Sequence, residues 1–120
     1  MTTQEIANDL VALCRQGKFA ESGEKYWAND VVSVEAGAPG GGDPVSRGIE
    51  AARGKGEWWA ANHEVHSVEV EGPYVNGDQF VVRFKMDMTP KGGQRVSMDE
   101  MAVYTLRDGK IAEERFFYGM

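Results

Sequence analysis

Val96-Ser97-Met98-Asp99-Glu100-Met101-Ala102-Val103-Tyr104-Thr105-Leu106 alternates with a period of two. Side chains along a strand point by turns to opposite faces, so Val96, Met98, Glu100, Ala102, Tyr104 and Leu106 share one face. Ser97, Asp99, Met101, Val103 and Thr105 take the other. The first set is apolar except at Glu100. A carboxylate in such a row costs free energy unless it is paired, hydrogen-bonded or kept neutral. A cavity beneath that face would account for it, and Glu100 is the first candidate site residue.

The strands on either side extend the pattern. Gln79 to Thr89 places Phe80, Val82, Phe84, Met86 and Met88 on one face, with Arg83, Lys85 and Asp87 on the other. Glu64 to Glu71, Gln94 to Arg107 and Lys110 to Tyr118 complete four predicted strands, with hairpin signals at Asn76-Gly77, Gly92-Gly93 and Asp108-Gly109. A three-residue turn with Gly109 as its bulge would pair Leu106 with Ala112, Tyr104 with Glu114 and Glu100 with Tyr118. A plain two-residue turn would shift the pairing by one and separate these groups.

Upstream, the spacing of Ile6, Leu10, Leu13 and Cys14 predicts a helix over Gln4 to Arg15, capped by Thr3 and ended by Gly17. A second helix runs from Phe19 to Trp27 and closes at Asn29-Asp30, ahead of a short strand from Val31 to Glu35. Ala36 to Arg47, with Pro39, Gly40, Gly41, Gly42, Asp43 and Pro44, reads as a mobile surface loop on a pocket rim. Ile49 to Asn62 is a third helix, weakened by Gly54 and Gly56. Helices first, then a strand, a helix and a long meander describe an α+β domain.

A chain of 120 residues suffices for one core, so residues 1–120 are read as a single domain. Nineteen acidic against 13 basic residues give a net charge of −6, which repels phosphate backbones and argues against a nucleic-acid partner. No apolar run reaches the roughly 18 residues of a membrane span, and the N-terminus has no signal-peptide pattern. A cytoplasmic location is the expectation. The single Cys14 fits a reducing compartment and reads as a buried apolar residue rather than a nucleophile. The two histidines, His63 and His66, fall where helix gives way to strand, so no metal site is expected.

The segments Tyr26-Trp27-Ala28-Asn29-Asp30-Val31-Val32-Ser33-Val34-Glu35, Gly48-Ile49-Glu50-Ala51 and Tyr104-Thr105-Leu106-Arg107-Asp108-Gly109-Lys110-Ile111 resemble the SnoaL-like group of the nuclear transport factor 2-like superfamily. The resemblance runs from Gln4 to Tyr118. It implies a cystatin-like cone: three helices packed on a strongly curved, mixed or antiparallel sheet, with a deep pocket and often a homodimer through the outer sheet face. Activities in this group include polyketide cyclisation, ketosteroid isomerisation, epoxide hydrolysis and dehydration, while other members bind ligands or proteins. Carried over by position, the general base of ketosteroid isomerase falls on Glu35. Its oxyanion tyrosine falls near Leu10 or Val11 and its neutral acid near Ala102, so both donors are missing here. The acidic base of SnoaL has Asp87 and Glu100 as possible counterparts.

The expected site therefore contains Glu100 and Glu35 as acid or base, with Tyr118, Tyr104 or His66 donating to a ligand oxygen. His66 is in phase with Val68 and Val70, and Asp87 faces outward with Arg83 and Lys85. Trp27, Trp58, Phe84, Met86, Met98, Tyr104 and Phe116 supply an aromatic and methionine-rich lining for a hydrophobic small molecule carrying a carbonyl or hydroxyl group. The chemistry expected is cofactor-independent cyclase or isomerase proton transfer. The alternative is a non-catalytic ligand-binding or protein-interaction module.

Overall fold

A computed structural model of the chain describes residues 1–37 and 42–119. The glycine-rich part of the predicted loop at residues 38–41 lies outside them. Helix α1 (Thr3–Arg15) starts one residue earlier than expected, because Thr2 rather than Thr3 caps it. The Thr2 hydroxyl accepts from the Glu5 amide, and the Glu5 carboxylate accepts in return from the Thr2 amide, which satisfies two of the donors a helix start leaves open. Ile6, Ala7, Leu10, Val11 and Cys14 form its buried stripe.

Helix α2 (Phe19–Tyr26) passes directly into strand β1 (Trp27–Val34). Asn29 and Asp30, read in the sequence as the end of the helix, lie inside this strand with exposed side chains, and Asp30 pairs with Arg107 at 2.6 Å. A short strand β2 (Val45–Arg47), inside the stretch expected to be loop, pairs antiparallel with β1. Helix α3 (Ile49–Asn62) follows. The meander comprises β3 (His63–Asn76), β4 (Gln79–Pro90), β5 (Val96–Arg107) and β6 (Lys110–Tyr118).

The six strands are ordered β2-β1-β6-β5-β4-β3, with β1 and β6 parallel and the other neighbours antiparallel. The fold is α+β, three helices on a mixed sheet. Phe80, Val82, Phe84, Met86 and Met88 face inward as their alternation predicts, and all five are buried. Arg83 and Asp87 face outward, paired with Asp99 and Arg95. No helix among the described residues is long and apolar enough to cross a membrane.

The pairing expected between β5 and β6 occurs by a different route. Arg107 pairs with Lys110 around a two-residue turn in which Asp108 (φ 53°) and Gly109 (φ 76°) are both left-handed, the backbone a tight hairpin requires. Leu106 therefore faces Ile111, not Ala112. A register shift then leaves Ala112 as the extra residue, because Thr105 pairs with Glu113. The bulge restores the alternation, so Tyr104 faces Glu114, Ala102 faces Phe116 and Glu100 faces Tyr118.

Candidate functional site

The inner face carries a row of polar groups across three strands. Ser33 of β1 pairs with Glu114 of β6, which pairs with Tyr104 of β5. Ser33 is fully buried and Glu114 is 6% exposed. Both oxygens of Glu114 are occupied: the Trp27 indole N–H donates to Oε1, and the Ser33 hydroxyl donates to Oε2 at 3.2 Å. Burial still pushes this carboxyl up, against the opposing pull of Lys55 and of its two hydrogen bonds, which stabilise the charged form.

Lys55 reaches this row from α3. Its ammonium donates to Ser33 Oγ and, at 2.7 Å, to Glu35 Oε1, and it lies 4.8 Å from the centre of the Phe116 ring. Both members of the ion pair are largely buried, with Lys55 at 20% and Glu35 at 16% side-chain exposure. The contact with Phe116 adds a cation–π component.

Glu100 is the odd member. Among the described residues its carboxyl makes no hydrogen bond, and burial, reinforced by the like charge of Glu35 and opposed by Lys55, pushes it up to about 7. Ala102, fully buried, lies between Glu100 and Tyr104 on this face. The Tyr104 ring stacks on Phe80 at 4.8 Å and meets Phe116 edge-on at 6.5 Å. Burial moves the Tyr104 hydroxyl well above its ordinary value, with Glu114, Glu100 and Glu35 adding to the effect. Tyr118 is raised more mildly, by burial and by Glu35.

The structure brings Glu100, Glu35, Tyr118, Tyr104, Trp27 and Phe116 into this neighbourhood. His66 is placed elsewhere. A register shift between Val65 and Ser67 breaks the phase expected with Val68 and Val70, and the His66 ring contacts Thr89 Oγ1 at 2.7 Å. Trp58 is an exposed residue set edge-on to His63 at 6.0 Å, not part of an inner lining. Phe84 and Met86 belong to the packed core, where Phe84 meets Phe19 at 6.3 Å, and Met98 is partly buried against it.

Neither of two open depressions among the described residues is the deep inner-face hollow expected from the sequence. Glu100 and Tyr118 border one of about 400 Å³ that opens on the outer face, where Arg83, Asp99, Met101 and Phe117 line it together with Gly119. A second, about 470 Å³, lies near Trp27, Asp30, Ile49 and Arg107, away from Glu100. No cluster of three or more metal-ligating side chains occurs among the described residues. Cys14 is buried, and its thiol is pushed up to about 11, which leaves it a poor nucleophile.

Sequence reasoning overlooked Lys55, Ser33 and Glu114. The signal for Lys55 is the one that revealed Glu100: it is the charged residue in the otherwise apolar series Ile49, Ala52, Lys55, Trp59 along one side of a helix. Glu114 was placed beside Tyr104 by register but was given no role.

Three helices packed on a six-stranded mixed sheet are the fold shared with nuclear transport factor 2-like and ketosteroid isomerase-like structures. The SnoaL-like domain profile matches residues 1–118, and the chain belongs to that family. No curated protein matches the sequence. A solved structure from Mesorhizobium loti, named as a candidate SnoaL-like polyketide cyclase with carbohydrate phosphatase as a second designation, is 56% identical. The match covers 98% of this chain and 100% of that one, with a TM-score of 0.93. A candidate isomerase from Bacillus subtilis shares the fold at 19% identity and a TM-score of 0.80, over 99% and 90% of the two chains. A protein of ketosteroid isomerase-like fold from Catenulispora acidiphila, solved with trimethylamine, shares it at 21% identity and a TM-score of 0.76, over 99% and 88%.

Proposed function

We propose that this SnoaL-like protein binds a hydrophobic small molecule bearing a carbonyl or hydroxyl group and moves a proton on it without a cofactor, as a cyclase or isomerase does. The observation that carries this reading is Glu100: a half-buried carboxyl on the inner sheet face, raised to about 7, with no internal hydrogen-bond partner among the described residues. A group titrating near neutrality both takes and returns a proton at working pH. Glu100 is the acid–base residue in this scheme. Tyr118, across the ladder from it, donates to the ligand oxygen, and Glu35 supplies the second carboxylate.

The aromatic side chains of Trp27, Tyr104 and Phe116 and the thioether of Met98 surround the ligand's apolar body. Two copies of the chain associate through the outer sheet face, where Met101 (46%) and Phe117 (51%) are exposed side by side.

Deuterium exchange at the α-carbon of 2-tetralone, followed by NMR in D₂O, tests the assignment. The protein accelerates exchange over buffer, and Glu100→Gln lowers the rate by about a hundredfold, the ordinary contribution of a positioned general base. Exchange at the wild-type rate in a folded Glu100→Gln protein overturns it.

A further inference from the structure

The inner cluster contains three carboxyls, Glu35, Glu100 and Glu114, within electrostatic reach of one ammonium, Lys55. They are not held alike. Glu35 is bound directly by Lys55 at 2.7 Å. Glu114 is bound through a relay: Lys55 donates to Ser33 Oγ, and the Ser33 hydroxyl donates onward to Glu114 Oε2 at 3.2 Å. Trp27 fills the remaining Glu114 oxygen. Glu100 receives neither contact.

The ammonium is itself fixed. Its contacts to Ser33 and Glu35 and the ring of Phe116 beneath it leave little freedom for the side chain. The carboxyls around it come from three strands: Glu35 from the end of β1, Glu114 from β6 and Glu100 from β5, with Tyr104 and Tyr118 acted on by the same carboxyls. Cys14 of α1 lies behind Tyr104. Lys55 is the sole cationic side chain acting on Glu100 and Glu114 among the described residues.

We propose that Lys55 is the positioning residue of this site: by holding Glu35 directly and Glu114 through Ser33, it leaves Glu100 as the one carboxyl able to exchange its proton with a ligand. The assignment rests on the proton-transfer reading above and names the device that divides the roles among its acids. Lys55 does not touch the reacting atoms in this scheme. It sets which acid does.

Carboxyl titration by ¹³C NMR of glutamate-labelled protein tests this without any substrate, with the Glu100 resonance assigned by its disappearance in Glu100→Gln. In Lys55→Met the Glu100 midpoint rises by about one pH unit, a tenfold gain in proton affinity, because an opposing positive charge is gone. Lys55→Arg restores the wild-type midpoint. Glu35→Gln, which removes the like charge and keeps Lys55, lowers it, and this variant decides the matter if Lys55→Met does not fold.

A Glu100 midpoint unchanged in folded Lys55→Met, unrestored by Lys55→Arg, or unmoved in Glu35→Gln overturns the proposal. If the midpoints move as stated while 2-tetralone exchange is unaffected by Glu100→Gln, the proton-transfer reading fails and the electrostatic assignment of Lys55 stands.

Discussion

Glu100 and Tyr118 face each other across the β5–β6 ladder only because Ala112 is an extra residue in β6. Without that bulge the two-residue turn at Asp108-Gly109 would send Glu114, Phe116 and Tyr118 to the outer face. A hairpin turn and its bulge thus determine that Glu114, Phe116 and Tyr118, rather than Glu113, Arg115 and Phe117, face inward.

Stability should fall as pH rises. The Glu100 carboxyl stands near 7 in the fold, against about 4.5 when unperturbed, so between those values the folded state binds more protons than the unfolded one. Its contribution is fully present below about 4.5 and is lost as pH rises through 7. Urea unfolding of the wild type at pH 5 and pH 8 will show the decline, and Glu100→Gln will reduce it by about 2 kcal/mol. The raised Glu114 acts in the same direction, so a shallower slope remains.

Removing the indole donor should make Glu114 costly. In Trp27→Phe the Oε1 atom loses its N–H partner. A buried acceptor left unsatisfied costs about 1–3 kcal/mol. The loss will grow as pH rises, because the indole hydrogen bond favours the charged form of this carboxyl. Chemical denaturation at pH 5 and pH 8 measures it.

Gly23→Ala should destabilise the protein although alanine is the better helix former by about 1 kcal/mol. A Cβ at Gly23 would run into the Trp27 ring, and a rigid indole cannot yield cheaply. Overpacking of this kind costs about 1–3 kcal/mol. A lower melting temperature together with a shifted tryptophan emission maximum is the expected outcome.

Charge on the outer face should break association between copies. Met101→Lys and Phe117→Lys place an ammonium on adjacent positions of the exposed apolar patch. Sedimentation velocity will show a dimer for the wild type and a monomer for the double variant. Wild-type protein sedimenting as a monomer at high concentration refutes the dimer.

Period-two alternation was readable wherever one strand face is buried, which is why the inward set from Phe80 to Met88 and the Glu100 row emerged from sequence alone. The misplaced features have local causes. Asn29-Asp30 reads as a helix stop by composition, yet the strand tolerates both residues because that part of it is exposed. The strand expected over Glu64 to Glu71 continues as β3 to Asn76, with a register shift between Glu71 and Tyr74. His66 was misassigned because one extra residue reverses a face, and nothing in the sequence marks that bulge. Lys55 was legible as a charge in an apolar helix series, but long lysines usually extend their ammonium to water. Only the three-dimensional arrangement shows this one turned inward.

No connecting residue separates α2 from β1, since Tyr26 ends the helix and Trp27 begins the strand. The helix is tethered on its outer side by Lys25 and Tyr26 to Asp9 of α1 and by Glu24 to Arg53 of α3. The indole that donates to Glu114 therefore sits one residue beyond a helix held to both of its neighbours. Surface substitutions that loosen those tethers should be felt as a change in the proton equilibrium of the buried Glu114 carboxyl.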